Sequence, residues 1–86
     1  MKVTTAVQDE VRVYPNPSRG TFTLDLVTEN DEPVMVVVTN IIGKKVKEFT
    51  TTTNKITEVQ LNTAPGIYLL TASTSNGRYV AKVTVE

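Results

Sequence analysis

The chain has 86 residues, enough for one domain with a thin hydrophobic core. Its nine basic residues balance its nine acidic ones, so no basic surplus marks a nucleic-acid or anionic-membrane surface. It lacks histidine and cysteine, which removes disulfides, thiolate metal sites, thiol nucleophiles and the commonest general base, and it has no tryptophan for stacking on bases or sugars.

Residues 1–10, MKVTTAVQDE, carry no apolar core of the kind a signal peptide needs. They read as a linker from something upstream or as an added remnant, and residues 11–86 read as one domain. No apolar run reaches the about 20 residues of a membrane-spanning helix, so no membrane insertion is expected. Val and Thr dominate from there on, and both suit a pleated, half-buried surface better than a helix.

Val11–Tyr14 is a short strand stopped by Pro15. Thr21–Thr28 alternates, with Phe22, Leu24 and Leu26 facing a core and Thr21, Thr23 and Asp25 facing water. Glu29–Pro33 is a polar turn. Val34–Thr39 is apolar on both faces, which predicts either a central strand covered on both sides or an apolar edge that permits an edge-strand dimer. Asn40-Ile41-Ile42-Gly43 predicts a tight hairpin turn, with Gly43 supplying positive φ.

Lys44–Thr51 is the next strand, with Val46 inward and its lysines mostly outward, and Thr50–Asn54 reads as a loop of threonines. Ile56–Leu61 places Val59 and Leu61 on one face. Ala64-Pro65-Gly66 is a turn, Ile67–Thr74 a strand, and Ser75-Asn76-Gly77 a two-residue hairpin signal. Tyr79–Val85 is the last strand. Seven short strands without a helical period predict an all-β fold, a seven-stranded antiparallel immunoglobulin-like β-sandwich, with a small barrel as the competing architecture.

The acids available for catalysis are Asp9, Glu10, Asp25, Glu29, Asp31, Glu32, Glu48, Glu58 and Glu86. They fall at strand ends and outward positions, where carboxylates keep sheet faces soluble; a glycosidase needs two opposed across a cleft. The "GKK" at Gly43–Lys45 lacks the upstream glycine and the helix of a phosphate loop. Glu29, Asp31 and Glu32 with Asn30 offer hard oxygens but not the spacing of a calcium loop, so they read as a polar turn. Tyr14, Tyr68 and Tyr79 read as core tyrosines rather than a sugar platform. The expectation is a domain without catalysis, cofactor or metal.

In "VYPNPSRGTF", Pro15-Asn16-Pro17 fixes φ at two of three residues and bars Asn16 from the helical region, while its amide is free to bond nearby backbone. Gly20 lets the chain swing into the next strand. Taken with "VVVTNIIGKKV", "VQLNTAPGIYLL" and "GRYVAKVTV", in that order and running to the end of the chain, this corner resembles the C-terminal sorting domain of the type IX (Por) secretion system of Bacteroidota. The carrying residues are Tyr14, Pro15, Asn16, Pro17 and Gly20; Gly43 and Lys44; Pro65, Gly66 and Tyr68; and Lys82, Val83 and Val85. Glu86 departs from the basic or apolar ending of many members.

The resemblance implies a secretion signal. A cargo domain would precede Met1, cross the periplasm and be carried through the outer-membrane translocon with the help of a shuttle protein. A sortase-like surface peptidase would then remove the signal ahead of Val11, leaving cargo on the surface or released. It also points to the last strand, Arg78, Val80, Lys82, Val83, Thr84 and Val85, as the recognition element, its outward face and open edge offering β-augmentation. The motif glycines and Tyr68 read as structural. The other reading of the same residues is an immunoglobulin- or fibronectin-like accessory module of an extracellular enzyme.

Overall fold

The computed structural model describes residues 10–75 and 77–86. Seven strands follow in order: β1 (Glu10–Tyr14), β2 (Thr21–Val27), β3 (Pro33–Asn40), β4 (Lys45–Thr52), β5 (Ile56–Gln60), β6 (Gly66–Thr74) and β7 (Gly77–Val85). They form a three-stranded sheet, β1-β2-β5, and a four-stranded sheet, β4-β3-β6-β7. Every named strand pairing is antiparallel. The chain changes sheet after β2, β4 and β5, so the two sheets are laced together and close as a sandwich rather than a barrel.

Period-two patterning sets the core. Phe22, Leu24 and Leu26 of β2 face Val34, Val36 and Val38 of β3 and Tyr68, Leu70 and Ala72 of β6, with Val59, Leu61, Val83 and Val85 completing the cluster. A one-residue slip of β2 would put all three of its large apolar side chains into water, so the pattern fixes the register. Val11, Val13, Val46, Phe49 and Tyr79 pack on the cluster's margin.

Three expectations change. β3 is central, between β4 and β6, but among the described residues only one of its faces is covered: Val34, Val36 and Val38 are buried, whereas Met35 is 44% exposed. Being paired on both sides, β3 offers no edge for a dimer. The predicted threonine loop is mostly strand, because Thr50, Thr51 and Thr52 pair with Met35, Val34 and Pro33. Tyr14 is exposed: in edge strand β1 the inward positions are Val11 and Val13, which leaves Tyr14 on the outer face.

The loop after β4 braces the acidic turn. Thr53, 1% exposed, accepts from the Glu32 N–H (2.9 Å) and donates to the Asn30 carbonyl (2.9 Å). Asn54, in the left-handed region at φ 60°, accepts from the Thr28 N–H (2.9 Å) and donates to Asp31 Oδ1 (2.7 Å). The Asn30 carbonyl, Asp31 Oδ1 and the Glu32 backbone are thus tied into the fold, and no group of three acids converges among the described residues. On β1, the Arg12 guanidinium bonds both oxygens of Glu10 (3.0 and 3.1 Å) and holds its carboxyl below the usual range. A lowered folded pKa means that the contribution is present above the unfolded value and lost as pH falls through the folded one. Both side chains are more than half exposed, so salt screens the pair.

Candidate functional site

The corner between β1 and β2 does not merely turn the chain. It lies against the outer edge of β7. Asn16 Nδ2 donates to the Lys82 carbonyl (2.8 Å), and the Thr84 N–H donates to Asn16 Oδ1 (2.9 Å). The Ser18 N–H donates to the Thr84 carbonyl (2.8 Å), and the Glu86 N–H donates to the Ser18 carbonyl (2.8 Å), a short parallel bridge of Ser18 to Val85. Both Tyr14–Pro15 and Asn16–Pro17 peptide bonds are cis. Pro15 and Pro17 hold Asn16 with its amide along β7, a donor and an acceptor matched to two successive outward backbone groups. Ser18 is buried, and its Oγ accepts from the Gly20 N–H (3.3 Å).

This corrects the expectation of an open last edge: from Lys82 to Glu86 the outward backbone groups of β7 are largely engaged by the corner. Asn16→Ala removes both amide bonds at a solvent-exposed site. It is expected to lower stability by about 1–2 kcal/mol, read as a shift in the urea midpoint at constant m.

The other motifs also build structure. Asn40, Gly43 and Lys44 close the β3–β4 turn: the Asn40 N–H donates to the Lys44 carbonyl (2.9 Å), and Asn40 Oδ1 accepts from the N–H groups of Ile42 (3.1 Å) and Lys44 (2.9 Å). Gly43 sits at φ 88° as expected. Pro65 and Gly66 lead into Tyr68, 6% exposed, whose hydroxyl donates to the Ala64 carbonyl, the arrangement known as a tyrosine corner at the start of a sandwich strand. Tyr68→Phe keeps the ring packing and loses this bond. It is expected to lower the melting temperature by about 4–8 °C, the equivalent of roughly 1 kcal/mol in a domain of this size.

The candidate recognition residues of β7 divide by parity. Val83 and Val85 are buried in the core, so as side chains they are closed to a partner. Arg78, Val80 and Lys82 are exposed and Thr84 half-buried on the outer face. Lys44 is exposed at the hairpin. Of the β6–β7 hairpin signal, Asn76 lies outside the described residues, as do Asp9 and the rest of residues 1–9; Thr74 pairs with Gly77 across the turn. No pocket opens among the described residues, and the surface is one of faces and edges.

A family model for the secretion system C-terminal sorting domain matches residues 12–86. The chain belongs to that family. None of the curated proteins compared matches it. The match starts within β1 and takes in the corner and all the other strands, so the family unit and the sandwich nearly coincide. The sorting domain is a type IX secretion signal, a role that implies interaction with that secretion system and export to the cell surface or the medium. Sorting domains of this kind are generally not catalytic.

Sequence reasoning did not see Ser18 as a partner of β7, nor the contact of Asn16 with residues about 66 positions away. The polar Asn between two prolines was the one local signal.

Proposed function

We propose that the chain is a non-catalytic C-terminal signal that sends a cargo domain, attached ahead of its first strand, from the periplasm across the outer membrane through the type IX translocon. A shuttle protein accompanies it, and a sortase-like peptidase removes the domain at the surface by cutting ahead of Val11. The observation that carries the reading is the family match over nearly the whole sandwich. The geometry is in keeping with it: Asn16, Gly20, Gly43 and Tyr68 of the motifs hold the fold, and the outer positions of β7, exposed Arg78, Val80 and Lys82 with half-buried Thr84, are left for recognition. Rigid presentation of a surface suits a domain whose task is to be recognised.

The test is a graft. The 86 residues are placed after a fluorescent protein carrying a periplasmic signal peptide and expressed in a bacterium with an intact type IX system and in a translocon mutant. Reporter outside the first strain and trapped in the second is expected. Reporter trapped in both would favour the accessory-module reading, which calorimetry with polysaccharides and Ca²⁺ then tests. Intact mass of the exported reporter shows whether the domain is removed.

A further inference from the structure

The two outer faces of the sandwich differ. Strand register gives the rows. On the smaller sheet, Arg12 neighbours Asp25 and Asp25 neighbours Ile56, while Thr23 lies between Tyr14 and Glu58, a mixed surface with charges of both signs. On the larger sheet, one row reads Glu48, Val37, Thr71, Val80 and the next Lys45, Thr39, Leu69, Lys82. Met35 and Ile67 flank these rows.

Met35, Ile67, Leu69 and Val80 are 44%, 47%, 42% and 56% exposed, an apolar band crossing three adjacent strands. At the Ile67 end of the sheet the β3–β4 turn carries Ile41 and Ile42, 75% and 82% exposed, where turn chemistry calls for small polar residues. Nothing in the fold requires these side chains to be apolar; isolated exposed hydrophobes are ordinary, but a contiguous band marks a contact surface.

The charges on this face are lopsided. Lys45 is paired with Glu48 (3.3 Å), whereas Arg78 and Lys82 form no ion pair among the described residues. Both stand on β7, beside the apolar band. A binding surface with this layout fits a partner that is apolar at its centre and carries carboxylates along one side. Two copies of the chain face to face would instead bring unpaired cations together.

We propose that the type IX apparatus holds this domain by the outer face of the larger sheet, through Val37, Leu69, Ile67 and Val80 with Arg78 and Lys82 at the margin, and that the partner is an apolar protein surface edged with carboxylates. The inference rests on the sorting-signal reading and adds the site and the chemistry of its partner. It replaces strand addition at the end of β7, where Asn16 and Ser18 already occupy the edge.

The test uses the same reporter graft in the intact strain. The variant Val37→Thr/Leu69→Thr/Val80→Thr keeps strand-compatible side chains while removing the apolar surface. Ile56→Thr, an exposed apolar position on the opposite sheet, is the control. With melting temperatures matched to the parent within a few degrees, the triple variant is expected to be exported about tenfold less or worse, and the control as well as the parent. Arg78→Glu/Lys82→Glu is expected to fail, and Arg78→Lys/Lys82→Arg to succeed.

Undiminished export of the folded triple variant overturns the proposal while leaving the sorting function intact. Equal loss in variant and control also overturns it. Failure of the parent graft itself removes the underlying reading, and the proposal with it. Sedimentation of the 86-residue chain decides against a separate partner if it shows a dimer abolished by the triple variant.

Discussion

Replacing Gly20 by alanine is expected to cost about 3 kcal/mol, a large share of the roughly 4–13 kcal/mol that stabilises a domain of this length. Gly20 is buried at φ 106°, where an L side chain is strained. A Cβ there would meet the Leu61 carbonyl oxygen at 2.9 Å, a backbone atom that cannot rotate away. That same approach is held from the other side, because the Leu61 N–H donates to the Gly20 carbonyl (2.6 Å). Relief requires moving the corner away from β5, which also pulls Ser18 from β7. The melting temperature, followed by circular dichroism, should fall by about 12–24 °C. A fall of only a few degrees would mean that the corner yields easily, and that the glycine answers to something other than this contact.

Deleting Thr84–Glu86 is the second change with a large expected effect. It removes the buried Val85 side chain, worth about 1.5–3 kcal/mol in apolar burial. It also removes three backbone groups that the corner uses: the N–H and carbonyl of Thr84 and the N–H of Glu86. Ser18, itself buried, is left with an unpaired N–H. Together these amount to about 4–5 kcal/mol, roughly a third or more of the domain's stability, so the urea midpoint should fall by at least that share. Glu86→Ala, which leaves the backbone in place, is expected to be near neutral. Loss of export on trimming the end therefore reports unfolding before it reports a lost contact, and outward substitutions are the sharper probe of recognition.

The strands were legible because inward and outward residues alternate: Phe22, Leu24 and Leu26 announce β2, and Asn40 with Gly43 announces the hairpin. The immunoglobulin-like sandwich followed from strand number and turn chemistry. What was not legible is long-range. No local pattern reveals that Asn16 bonds to Lys82 and Thr84, because a side-chain amide between prolines serves equally well in a free turn. The apolar run of β3 fits a strand covered on both sides as readily as one with a contact face; the sheet order shows that nothing among the described residues covers Met35. Thr50–Thr52 misled because threonine is common both in loops and in strands, and pairing with β3 decides between them. Val83 and Val85 were named for recognition beside Arg78, Val80, Lys82 and Thr84, yet β alternation gives both valines to the core and leaves the even-numbered positions on the outer face.

Asn16, Gly20 and Tyr68 of the motifs each hold the fold together. The most direct measurement is export of the reporter graft plotted against the folded fraction of its sorting domain, using the parent, Tyr68→Phe, Asn16→Ala and Gly20→Ala at a common temperature near the midpoint of the weakest. None of these substitutions touches the outer face of the larger sheet. Export should fall in step with the folded fraction, with Gly20→Ala lowest. Full export of Gly20→Ala under conditions where it is unfolded would contradict the account, because the secretion system would then be reading the strand sequence itself.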